Sequence, residues 1–135
     1  MFKDLRKPAK LAWQKSEDYL QQECAKFAKK ALYNAKLPQV FHAIPNGGRR
    51  TQREAAKLKL TGVLPGVADT FLPLKSDEFS GLYIELKKAG GSIKPEQKTF
   101  LNAVAAEGYL AVVVNDLETF QAVFTAYLND RKQQI

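Results

Sequence analysis

Apolar residues recur along this chain with two different periods. Between Ser16 and about Ala35, residues Tyr19, Leu20, Cys24, Phe27, Ala28, Ala31 and Leu32 fall three or four apart, the spacing of a buried stripe on a helix. Ser16 offers a hydroxyl to the free amides at the helix start, and Glu17 and Asp18 lie beside the positive end of its dipole. Val40 to Ile44, bounded by Pro38 and Pro45, is short and apolar and predicts a strand. After the turn Pro45-Asn46-Gly47-Gly48-Arg49-Arg50, Thr51 to Leu60 predicts a second helix, which Gly62 ends. Strands follow at Thr70 to Leu74 and Gly81 to Lys88, joined through the polar connection 75–80. Pro95 opens a helix carrying Phe100, Leu101, Val104 and Ala105 and closing near Gly108. Tyr109 to Val114 is the most apolar run and predicts a central strand, and Asp116 starts a last helix packed through Leu117, Phe120, Val123, Phe124, Tyr127 and Leu128. The order of helix, strand, helix, strand, strand, helix, strand, helix predicts an α/β fold, a single mixed β-sheet flanked by helices.

One strand breaks its own pattern. Gly81-Leu82-Tyr83-Ile84-Glu85-Leu86-Lys87-Lys88 has the content of a buried strand, yet a carboxylate and an ammonium interrupt its apolar run. Alternation places Glu85 and Lys87 on one face and Ile84 and Leu86 on the other. Asp69, after the Pro65-Gly66 turn, falls at the mouth of the preceding strand and can converge on Glu85. Such a pair of acids suits a hard divalent cation, which takes one or two carboxylates and fills its remaining positions with water and phosphate. Lys87 on the same face could orient an attacking water. The plainer account is a cross-strand ion pair, since Glu-x-Lys alone arises often by chance. A Gly-rich turn, an Asp, a short spacer and Glu-x-Lys inside an apolar strand form a more specific combination.

Length and charge sharpen the picture. The chain has 135 residues, enough for one core, and a net charge of +7 that draws it to polyanions, nucleic acid foremost. Positive charge is densest at Arg49, Arg50, Arg53, Lys57 and Lys59. Arginines on a Gly-Gly turn approach phosphates closely, with Asn46 beside them, although a solvated helix face would need no such reason. Residues 1–15 read as a basic arm, 16–128 as one domain and 129–135 as a polar tail. Trp13 could stack on a base or dock the arm. His42 could act as a base, but a histidine in an apolar strand more often has a structural role. Cys24 is the only cysteine, so there is no intramolecular disulfide and no thiolate zinc cluster. No run approaches a membrane span and no secretory signal opens the chain, which leads us to expect a cytoplasmic protein, in a bacterial or phage-infected cell.

The succession Pro45-Asn46-Gly47-Gly48-Arg49-Arg50, Gly62-Val63-Leu64-Pro65-Gly66-Val67-Ala68-Asp69, Glu85-Leu86-Lys87, Gly90-Gly91 and Pro95-Glu96-Gln97 resembles the VRR-NUC family of the PD-(D/E)xK nuclease superfamily. The similarity covers about Ser16 to Thr125. It implies a restriction-endonuclease-like fold and a nuclease using Mg2+ or Mn2+, with Asp69, Glu85 and the backbone carbonyl of Leu86 as metal ligands. It further implies Lys87 as the active-site lysine and Gln97 as a helix residue beside the site. The family's helical glutamate, which the resemblance implies as a further candidate metal ligand, maps to Glu17, whose spacing to Gln21 repeats the family's Glu-then-Gln pattern, with Glu23 as the alternative. Ala68 stands where the family usually has a proline, a change expected to loosen the turn without removing a ligand. Small stand-alone members resemble homodimers acting on branched DNA such as four-way (Holliday) junctions, which suits two equivalent sites.

Three functions therefore compete: a structure-selective DNA endonuclease, a non-catalytic nucleic-acid-binding module on the same fold, and a sequence-specific restriction-type endonuclease. The first predicts metal-dependent cleavage of branched DNA, the second binding without products. The third predicts cleavage at one linear motif, for which so short a chain has little base-reading apparatus.

Overall fold

The computed structural model describes residues 1–8, 16–45 and 50–132. Trp13, Asn46 and Arg49 lie outside the described residues, as does the rest of the 9–15 segment. Helix α1 (Glu17–Asn34) begins where the pattern places it, and the Ser16 hydroxyl accepts from the Tyr19 amide at 3.2 Å. Strand β2 (His42–Ala43) is shorter than the apolar run that predicts it. Its neighbour Val40 instead donates its amide to the Pro38 carbonyl at 3.0 Å, outside the ladder. Helix α2 (Gln52–Leu60) is capped by Thr51 and buries none of its residues. Strands β3 (Thr70–Leu72) and β4 (Leu82–Leu86) follow, then helix α3 (Pro95–Ala106), strand β5 (Leu110–Val114) and helix α4 (Leu117–Asn129), which is capped by Asp116.

An additional strand, β1 (Lys3–Asp4), lies in the segment that reads from sequence as a basic arm. It pairs in parallel with β5, and the Leu5 amide extends the ladder to the Val113 carbonyl at 2.9 Å. Two residues are too few to show a period of two, so the sequence pattern carries no sign of it. Asp4 binds the Arg6 guanidinium through both oxygens, at 3.0 and 2.8 Å, and Lys7 pairs with Asp116 and Glu118. Part of the charge assigned to an arm is thus tied back to the fold.

The strands form one mixed sheet in the order β1-β5-β4-β3-β2, antiparallel across β2, β3 and β4 and parallel across β4, β5 and β1. One face carries Leu82, Ile84, Leu86, Val112 and Val114 under α1 and α4, where Phe120 and Phe124 are fully buried. The other carries Ala111 and Val113 under α3, where Leu101 is buried and Phe2, Tyr83 and Phe100 pack around it. Leu82, Ile84 and Leu86 are directed into the larger cluster, so alternation turns Tyr83, Glu85 and Lys87 to the α3 side.

Candidate active site

The β3–β4 ladder pairs Thr70 with Ile84, and one further step of the same register sets Asp69 opposite Glu85. Asp69 is held by two backbone amides. The Ile44 amide donates to the Asp69 carbonyl at 2.7 Å, and the Leu86 amide donates to Asp69 Oδ2 at 2.8 Å. The Asp69 side chain therefore ends the β3–β4 pairing, satisfying the next amide of β4 in place of a backbone carbonyl. Below it, the Thr70 hydroxyl donates to the Ile84 carbonyl at 2.9 Å.

Glu85 is 1% exposed, and its Oε2 has no hydrogen-bond partner among the described residues. Burial pushes its carboxyl up to about 9, and the adjoining Asp69 carboxylate adds to the rise; Lys87 opposes it and Glu17 adds a smaller push. An acid buried beside another acid with a lone oxygen unmet is costly in isolation. Lys87 is buried too, its amide bound to the Val114 carbonyl at 3.0 Å, and it forms no ion pair among the described residues.

Glu17 reaches the same place from the opposite face of the sheet. As the first residue of α1 it overhangs the end of β4, where its Oε1 accepts from the Lys88 amide at 3.2 Å. Glu23 instead faces Lys26, 3.5 Å away along the helix. Of the two helical acids weighed from the sequence, Glu17 is therefore the one beside Glu85.

Gln97 lies in the first turn of α3, but its Oε1 accepts from the Lys94 amide at 3.0 Å and so caps its own helix. That turn is joined to the aspartate loop by Gly66. Its φ is +91°, and a Cβ there would sit 2.6 Å from the Glu96 carbonyl oxygen and 3.1 Å from the Gln97 amide nitrogen. Gly66 is a positioning residue that sequence reading recognises only as a turn; the Pro65-Gly66 pair signals the bend but not the close approach. The backbone amides of Leu86 and Lys88, which hold Asp69 and Glu17, carry no side-chain signal at all. Arg50, Arg53, Lys57 and Lys59 are exposed and lie on or before α2.

Asp69 and Glu85 offer hard oxygen donors, and the unmet Oε2 is the acceptor a divalent cation would satisfy. The donor set fits Mg2+ or Mn2+, which need only one or two carboxylates. No group of three or more His, Cys, Asp or Glu side chains suited to a metal occurs among the described residues.

A solved structure described as a VRR_NUC domain protein is similar to this chain, with a TM-score of 0.73 and 27% identity over 87% of this chain and 92% of that one. No protein-family model matches the chain, and no curated protein matches it. The likeness supports the family-level resemblance drawn from the motifs, and the mixed sheet with its flanking helices is consistent with the PD-(D/E)xK architecture.

Proposed function

We propose that this chain is a metal-dependent DNA endonuclease that hydrolyses phosphodiester bonds in branched DNA such as four-way junctions, acting as a homodimer with Mg2+ or Mn2+. The observation that carries the reading is Glu85, a buried carboxylate with an unmet oxygen, set beside Asp69 and on the face of Lys87. Asp69 and Glu85 would hold the ion, joined by the Leu86 carbonyl. When bound, the ion would lower the pKa of a water and offset charge on the phosphate. Lys87 would orient the attacking water by donating to it, and its burial limits where its ammonium can go. Glu17, anchored through one oxygen on the Lys88 amide, keeps the other to hold a water at the site's rim. Gln97 would contribute its amide only after releasing the Lys94 amide. The exposed Arg50, Arg53, Lys57 and Lys59, with Asn46 and Arg49 before them, would contact phosphates, giving strong salt dependence and little sequence preference.

The test is a panel of labelled four-way junction, flap, single-stranded and blunt duplex DNA, incubated with Mg2+ or Mn2+ and with chelator. Junction cleavage is expected with metal. Chelator, Asp69→Ala and Glu85→Ala each abolish it while binding persists. Products that survive chelation or these substitutions refute the mechanism. Binding without products under every condition supports a non-catalytic DNA-binding module on the same fold.

A further inference from the structure

On the α1 side of the sheet, a groove of about 270 Å³ opens between α1 and the edge strand β2, reaching Thr70, the residue after Asp69. One wall is Gln21, Ala25 and Lys29, four residues apart and therefore one stripe on α1. The other is formed by Gln39 and the edge strand through Ala43. Gln39 Nε2 donates to the Lys29 carbonyl at 2.8 Å and ties the two walls together at one end. Gln21, at the other end of the stripe, is one helical turn from Glu17, so the groove leads away from the proposed metal site along α1.

We infer that this groove receives an unpaired nucleobase of the DNA strand whose backbone passes the Asp69–Glu85 cluster, an inference that rests on the nuclease reading above. A base has apolar faces and a rim of donors and acceptors. The groove matches that with small apolar side chains, Ala25 and Ala43, between the amides of Gln21 and Gln39. Its volume lies just below the ~300–1,000 Å³ of sites for larger ligands, room for a single small group. Charge runs the same way along the helix. Glu17, Asp18 and Glu23 occupy its N-terminal half, with Glu17 at the proposed cation site, whereas Lys26, Lys29 and Lys30 follow in its C-terminal half, where they complement a phosphate backbone leaving the site. Ladder alternation adds a further contact. The Ile44 amide bonds inward to the Asp69 carbonyl, so the neighbouring Ala43 turns its amide and carbonyl outward from the sheet edge. A duplex with every base stacked has nothing to place there, and neither does a fully paired four-way junction, whereas a flap or a single-stranded end does, and this gives the enzyme a reason to prefer DNA with unpaired bases.

The experiment measures binding by fluorescence anisotropy in chelator, using fluorescein-labelled single-stranded, flap and blunt duplex oligonucleotides. Ala25 is exposed, so Ala25→Phe fills the groove without entering the core. It should weaken single-stranded and flap DNA by about tenfold, the scale of losing one base contact, and leave blunt duplex unchanged. Lys29→Ala should weaken all three and lower the salt slope by about one. Equal losses for duplex and flap in Ala25→Phe, or wild-type binding in both variants, overturn the inference. Cleavage by wild-type protein with metal separates the two proposals. If wild-type protein cleaves and both variants bind as it does, the pocket falls and the nuclease stands. If the variants discriminate as expected but no DNA is ever cut, the pocket stands and the nuclease falls.

Discussion

Removing the charge of Glu85 should stabilise the metal-free protein, and by more as pH rises. Glu85 is buried with Oε2 unmet, and burial together with Asp69 raises its carboxyl from 4.5 to about 9. Between those two values the folded chain keeps a proton that the unfolded chain has released. A raised folded-state value contributes stability that is fully present below 4.5 and is lost as pH climbs through about 9. In that window the loss approaches ~1.4 kcal/mol per pH unit for one proton. From pH 6 to 8 it comes to about 3 kcal/mol, or about 8 °C in Tm for a domain of this size. Glu85→Gln keeps the shape and cannot ionise. Thermal unfolding in chelator between pH 5 and 8.5 should show wild-type Tm falling relative to the variant, the two curves converging at the acid end. Added Mn2+ should recover the wild type most at high pH, where less proton must be displaced, and leave Glu85→Gln nearly unmoved. Parallel pH profiles for the two proteins, or a wild type that gains on the variant as pH rises, would refute the reasoning.

Gly66→Ala introduces a side chain at φ +91° against the Glu96 carbonyl; it should cost about 1–3 kcal/mol and cut cleavage more than DNA binding, as read by calorimetry beside the cleavage panel. Phe120→Ala, which empties a fully buried position between α4 and the sheet, should cost about 3–5 kcal/mol in urea unfolding. Leu60→Ser removes a side chain that is 89% exposed and should change monomer stability by less than about 0.5 kcal/mol. A larger loss that grows with protein concentration would mark Leu60 as part of a subunit contact.

What could be read from the sequence follows how much chain each signal uses. Helices α1 and α4 and strands β4 and β5 rest on long or strongly apolar runs, and each lies where its pattern places it. β1 escapes notice because its two residues, Lys3 and Asp4, owe their place to backbone pairing with β5 and not to their own exposed side chains. The convergence of Asp69 and Glu85 was legible because a short connection makes β3 and β4 neighbours. The supports of Asp69 and Glu17 were not, since the amides of Leu86 and Lys88 look like any others. Glu17 and Glu23 lie six residues apart on one helix, and only the packing of α1 on the sheet decides which overhangs β4. Gln97 is a case of local chemistry taking precedence, its amide serving the first turn of its own helix. Exposure of α2 was invisible as well, because its Ala and Leu spacing matches that of a packed helix.

The core of β4 decides where Glu85 is buried. A register slip of one residue would turn Glu85 toward α1 and α4 and expel Leu82, Ile84 and Leu86 to the other face. Burying those three side chains is worth about 1.5–3 kcal/mol each, roughly 5–9 kcal/mol for the stripe. Keeping Glu85 protonated at pH 7, against an unfolded value of 4.5, costs about 3 kcal/mol. The apolar stripe therefore outweighs the carboxylate and holds it on the α3 side whether or not a cation is present. Asp69 is placed by the same ladder one step beyond its end, so both acids take their positions from hydrophobic register and not from attraction to each other. On the proposed reading, a cation arriving there would meet a site already assembled, in which the exchange of a proton for metal is the principal change left to make.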